Sequence, residues 1–160
     1  MNDRFDLETY WWILERIART NRCVRFCDFA ASEPAEPFFI LRHDVDYSPE
    51  AALRMAEQEA ERGVFATYFL LVGTRYYNLA SPEHAHVSRR LVELGHEVGL
   101  HYDVNSFRAL PRHEWSPLLE AQARLLGELA GAPVASVAMH QPALNGEDPF
   151  RDERRQRSRT

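Results

Sequence analysis

Phe38-Phe39-Ile40-Leu41-Arg42-His43-Asp44-Val45-Asp46-Tyr47-Ser48-Pro49 packs a strand signal, two carboxylates and a helix start into twelve residues. The apolar run Phe38 to Leu41 after Pro37 reads as a buried strand. Ser48 followed by Pro49 supplies a cap and a first-turn proline, and Gly63 stops the helix that follows. The carboxylates of Asp44 and Asp46 therefore lie where strand hands over to helix. In α/β folds that joint, the C-terminal end of a parallel strand, is where ligands are held. Two carboxylates two residues apart share a face of an extended segment and repel each other unless a cation lies between them, and a divalent metal is the simplest such cation.

The same β-α pattern repeats outward from this unit. Phe65 to Val72 reads as a second strand, followed by a loop with Tyr76, Tyr77 and Asn78 and a helix from Ser81-Pro82 to Gly95. Glu97 to His101 is a third short strand, with a helix over 118–130 closed by Gly131, and Val134 to Met139 is the fourth. Strands separated by helices of this length pair in parallel through right-handed crossovers, which gives an α/β class. Upstream, Leu7, Tyr10, Trp11, Leu14 and Ile17 recur at helical spacing, and Cys23 to Phe29 reads as a short strand. Four barrel strands are visible where a closed β/α barrel needs about eight. The expected fold is therefore a partial (β/α) barrel with mainly parallel strands and the later strands missing. Residues 1–146 form its single domain and 147–160 a charged, disordered tail. Open strand edges predict a marginal or self-associating chain, a homo-oligomer being one outcome.

Two histidine-bearing segments join the acidic one. Gly95-His96-Glu97-Val98-Gly99-Leu100-His101-Tyr102-Asp103 places His101 at the end of the third strand, and Met139-His140-Gln141-Pro142 places His140 at the end of the fourth. An imidazole and a carboxylate converging on one rim make a zinc or other transition-metal half-site. His96, which precedes its strand, reads as a structural hydrogen bonder.

In combination, Asp44-Val45-Asp46, Ala66-Thr67-Tyr68-Phe69 and the 95–101 segment resemble the polysaccharide deacetylase (NodB-homology) superfamily, and more closely a branch of deacetylase-like proteins. The resemblance covers about sixty residues strongly and reaches more weakly to Pro142. It implies a deacetylase-type barrel, a divalent metal such as zinc, and hydrolysis of an amide C–N bond, foremost an N-acetyl group on a carbohydrate. It also implies that Asp44 is the general base, that Asp46 and His101 are metal ligands, and that Asn105 stands where the family has a second ligating histidine. Gln141-Pro142 stands near an Arg-Pro pair that orients the base in the family. The family's later Asp-Trp and Leu-x-His segments, the latter supplying its general acid, have no counterpart before Thr160. His140 is the expected stand-in for that acid, ahead of His43 and His96.

Composition narrows the field further. A chain of 160 residues with 45% hydrophobic content suffices for one core. The net charge of −5 includes a basic tail in which five arginines face Asp152 and Glu153, so the body is more acidic than the whole. An acidic body argues against binding nucleic acid. Apolar stretches are too short for a membrane span and the N-terminus lacks a signal-peptide pattern, so a soluble, cytoplasmic protein is expected. Cys23 and Cys27 read as two buried thiols rather than a disulfide or zinc pair. The expected partner is a carbohydrate or other small amide substrate. Two alternatives stay open: an inactive, truncated deacetylase-like domain that binds carbohydrate or a partner chain, and a D-x-D phosphatase, in which the first Asp would be a phosphoryl nucleophile.

Overall fold

The computed structural model describes residues 6–145; the charged tail expected over 147–160 lies outside them. Element order is α1 (Leu7–Ala18), β1 (Arg22–Cys23), α2 (Phe26–Ala31), β2 (Phe38–Phe39), β3 (Arg42–Val45), α3 (Pro49–Glu61), β4 (Thr67–Leu70), α4 (Ala85–Glu93), β5 (Glu97–Tyr102), α5 (Trp115–Ala130), β6 (Val137–Met139) and α6 (Pro142–Asn145). Strands β3-β4-β5-β6 form a parallel sheet in sequence order, curled into a half barrel, and β1 and β2 form a separate parallel pair. The chain is thus mixed α/β, with the partial parallel barrel that the β-α rhythm predicts.

Local chemistry sets the element ends. The Ser48 hydroxyl accepts the Ala51 N–H at 3.2 Å with Pro49 in the first turn of α3, as the Ser-Pro pair predicts. Gly131 ends α5 in the left-handed region at φ 72°, where a residue with a Cβ would be strained. Helix α4 starts at Ala85 rather than Ser81, because 81–84 form turns in which Ser81 Oγ meets His84 Nδ1 at 2.9 Å.

Two expectations need correction. The segment expected as a strand over 23–29 is strand only at Arg22–Cys23 and turns helical from Phe26. Tertiary partners override the β-like apolar pattern: the Phe26 N–H donates to the Thr67 hydroxyl at 3.2 Å, and the Cys27 N–H donates to Glu97 Oε2 at 3.0 Å. These are first-turn amide groups that no helical carbonyl can satisfy. Arg25 adds a two-pronged ion pair to Asp28. The second correction concerns Phe38 to Leu41, which is not the barrel strand. Phe38 and Phe39 pair with β1, and the barrel strand is Arg42–Val45 itself, with Asp44 opposite Phe69. Asp44 therefore lies inside the strand, and Asp46 just beyond it. Both cysteines are half-buried free thiols.

Alternation along the strands divides the sheet into two faces. His43, Val45, Tyr68, Leu70, Val98 and Leu100 face the helices, and Tyr68, Leu70 and Leu100 are fully buried there. This side contains a polar knot. Glu59 of α3, 0% exposed, accepts from the Tyr68 hydroxyl and His43 Nε2, each at 2.7 Å, and from the Tyr10 hydroxyl, which fastens α1. His96 is buried beside it, its Nδ1 accepting the Ala66 N–H at 3.0 Å and its Nε2 donating to the Ala56 carbonyl at 2.9 Å.

The inner face carries Arg42, Asp44, Thr67, Phe69, Glu97, Gly99 and His101. Phe26 of α2 packs on Phe69 with ring centroids 5.8 Å apart. Glu97 is 6% exposed and satisfied by the Thr67 hydroxyl at 2.7 Å, the Ser136 hydroxyl at 2.8 Å and the Cys27 amide. Gly99 lets Phe69 lie flat against β5, since a Cβ there would sit 2.5 Å from the Phe69 ring and 2.7 Å from Ser136 Oγ. Gly99→Ala is accordingly expected to cost about 1–3 kcal/mol through overpacking, read as a lowered urea midpoint at unchanged slope.

Candidate metal centre

Three strand ends deliver the site. Asp46 follows β3 directly, His101 is the penultimate residue of β5, and His140 follows β6, its N–H extending the ladder to the Tyr102 carbonyl at 2.8 Å. Asp46 Oδ1 lies 3.4 Å from His101 Nε2 and 3.2 Å from His140 Nδ1, and the two imidazole nitrogens are 3.2 Å apart. The three residues can hold one metal ion.

The donor set suits a cation better than it suits itself. His101 is 1% exposed and its Nδ1 lies 2.9 Å from the Ala138 carbonyl, which can only accept; the ring proton therefore sits on Nδ1 and leaves Nε2 as a lone pair. Burial pushes the His101 imidazole below its ordinary value, with the Asp44 and Asp46 charges acting in the opposite direction. The ring is thereby kept in the neutral form a metal needs. Asp46 Oδ1 is buried and meets no donor in hydrogen-bonding geometry, an arrangement that costs stability unless something positive satisfies it. A tetrahedral zinc with bonds of about 2.0–2.1 Å holds its ligand atoms about 3.3 Å apart, in line with the three separations here.

Asp44 lies on the same face but is not left loose. Arg42 reaches it with two parallel contacts, Nε to Oδ1 and Nη2 to Oδ2, each at 2.7 Å, while the guanidinium stacks 4.8 Å above the Phe69 ring. Such a fork fixes the plane of the carboxylate. Beside these groups a cavity of about 370 Å³ opens, lined by Asp46, His101, His140, Tyr47, Tyr76 and Gln141 among others. A larger one, about 770 Å³, lies at the opposite ends of the strands by Cys23, Arg25, Phe65 and Gly95. Its Arg25 is spent on Asp28 and the Gly95 carbonyl, so the smaller cavity is the chemically equipped one.

No protein-family model matches the chain. No curated protein does either. Among solved structures the chain is similar to the chitin deacetylase from the fungal pathogen Colletotrichum lindemuthianum. That match has 21% identity and a TM-score of 0.44, over 59% of this chain and 42% of that one. The chain thus spans less than half of that protein's length.

The residues singled out in the sequence distribute unevenly. Asp46, His101 and His140 come together, and Asp44 lies on their face of the sheet. Asn105 is exposed, and its side-chain amide and its backbone N–H both donate to Asp103 Oδ1, at 2.9 and 3.0 Å. His140, expected to donate a proton, instead turns Nδ1 toward Asp46. His43 and His96 are occupied on the helix side, with Glu59 and with the Ala56 and Ala66 backbone. Gln141, expected near an orienting arginine of the family that the sequence resembles, adopts φ 47° and turns the chain into α6. The guanidinium that reaches Asp44 comes from Arg42, a partner the sequence reading passed over although i and i+2 share a face of a strand. No helix among the described residues is long and apolar enough to cross a membrane.

Proposed function

We propose that the chain is a metal-dependent amide hydrolase of the deacetylase kind, acting on N-acetyl groups of carbohydrates through a divalent ion, zinc foremost, held by Asp46, His101 and His140. The observation that carries this reading is the trio of potential ligand atoms 3.2–3.4 Å apart, one of them the buried, donor-less Asp46 Oδ1. When bound, such an ion supplies Lewis acidity, acidifying a water and polarising the amide carbonyl. Asp44, its plane fixed by Arg42, takes the proton of the attacking water. As the C–N bond breaks, it returns that proton to the leaving amine, giving acetate and a free amino sugar. His140 then serves to hold the ion through Nδ1, the nitrogen that faces Asp46 and His101.

Metal analysis of protein purified without chelator, paired with acetate release from N-acetylated chito-oligosaccharides, tests the reading. About one zinc per chain and chelator-sensitive acetate release are expected. Protein that takes up no divalent metal at micromolar concentration would sink it, and zinc binding with no acetate release from any N-acetylated sugar would leave the inactive, carbohydrate-binding alternative.

A further inference from the structure

Tyr47 and Tyr76 are 66% and 56% exposed, an uncommon state for two large rings side by side. They touch edge to face, with centroids 4.7 Å apart and planes at 63°. They come from different segments, Tyr47 from the turn between β3 and α3 and Tyr76 from the loop between β4 and α4. Both line the cavity that contains Asp46, His101 and His140.

The pair is also held in place. Thr74 Oγ1 accepts the N–H groups of Tyr76 and Tyr77 at 2.9 and 3.2 Å, and the Thr74 N–H donates to the Tyr77 carbonyl at 2.8 Å. The buried Tyr77 hydroxyl then ties this loop to the sheet, donating to the Val45 carbonyl at 2.6 Å and accepting the Leu71 N–H at 3.0 Å. Val45 immediately precedes Asp46, so one hydroxyl sets the Tyr76 loop relative to the candidate ligand. The remaining wall is largely polar, with Thr74, Arg75, Asp103 and Gln122.

We infer that Tyr47 and Tyr76 form a stacking platform for a pyranose ring, a sugar subsite that places an N-acetylhexosamine beside Asp46, His101 and His140. A pyranose has an apolar C–H face and a rim of hydroxyl groups, which matches an aromatic floor within a polar wall. A flat, wholly apolar ligand would strand those polar groups without partners. The inference rests on the hydrolase reading for the choice of sugar, but not for the platform itself.

Titration of the full chain with N,N′-diacetylchitobiose in the presence of chelator, followed by amide chemical shifts, reads the platform without the metal. Saturable binding is expected, with a Kd raised roughly tenfold in Tyr76→Ala and in Tyr47→Ala and nearly unchanged in Tyr76→Phe, which keeps the ring. Zinc uptake by the two alanine variants should match the parent. Alanine variants that bind the disaccharide as tightly as the parent, or a parent that shows no saturation at millimolar sugar, would overturn the inference. A parent that binds the disaccharide in this tyrosine-dependent way but takes up no zinc supports the platform and removes the hydrolase reading alone.

Discussion

His140→Ala is expected to weaken zinc binding by more than about a hundredfold, because losing even a residue that merely supports a ligand costs 10- to 100-fold. The structure gives His140 a direct place: Nδ1 lies 3.2 Å from both Asp46 Oδ1 and His101 Nε2. Asn105→Ala is the informative companion. The Asn105 amide is engaged with Asp103, so its loss should change zinc affinity by less than about threefold, well below the 10- to 100-fold cost of losing a group that supports a ligand. Competition with a chromogenic chelator measures both. The reverse order, with Asn105→Ala crippling and His140→Ala mild, would restore the ligand set that the family resemblance implies and free His140 for proton transfer.

The second large effect is on stability. Glu59→Ala removes the acceptor shared by Tyr10, His43 and Tyr68 and leaves their donors, half-buried at Tyr10 and His43 and fully buried at Tyr68, without that partner. Breaking a buried, hydrogen-bonded charge cluster in this way costs about 3–5 kcal/mol, a large share of a small domain's margin. Loss of the Tyr10 contact should also loosen α1, so protease cleavage within 7–18 would rise along with the fall in melting temperature. Glu59→Gln keeps the volume and some of the hydrogen bonding, and should fall between parent and alanine.

Acid acts through the same knot. Burial pushes the Glu59 carboxyl up, but the hydrogen bond and charge of His43 and the hydroxyls of Tyr10 and Tyr68 outweigh it and hold the group below its ordinary value. Its contribution is therefore complete above the usual carboxylate range, about pH 4.3, and disappears as pH falls through the lower, folded-state value. Burial also lowers His96. The unfolded chain then takes up a proton that the folded chain refuses, and stability declines as pH drops below about 6.5. Denaturant midpoints measured from pH 8 to 3 should fall in two stages, and Glu59→Gln should shrink the more acidic one, leaving the part due to Asp28, which its Arg25 partner also holds below the ordinary value.

The barrel rhythm was legible because hydrophobic runs, Ser-Pro starts and glycine stops are local signals; α3 and β5 run close to where those signals put them. Asp46, His101 and His140 were legible through a topological rule, that parallel strands deliver their C-terminal ends to one rim. What escaped depends on distant partners. Phe26 and Cys27 read as strand until Thr67 and Glu97 capture their amides, and no window around residue 26 contains those residues. Glu59 reads as one more charge on a helix surface. Its spacing from Ala52 and Ala56 places it on the inward stripe of α3, and that signal could have marked it, but only the donors of Tyr10, His43 and Tyr68 gathered around it give the position a purpose. Arg42 was visible beside Asp44, yet whether a guanidinium turns to solvent or to its neighbour depends on the Phe69 ring beneath it.

The Glu97 anchor has a consequence for the order of assembly. A ribosome releases α2 before β4 and β5, yet the groups that receive its amides, Thr67 and Glu97, belong to those strands, up to 70 residues downstream. The inward clamp on Glu97 is completed by Ser136, later still. Segments 22–31 must therefore wait, unanchored, until the central strands have paired. A segment made before β4 and β5 is thus seated after them, and mutations that slow β4–β5 pairing should prolong the interval in which Phe26 and Phe29 are open to unwanted association.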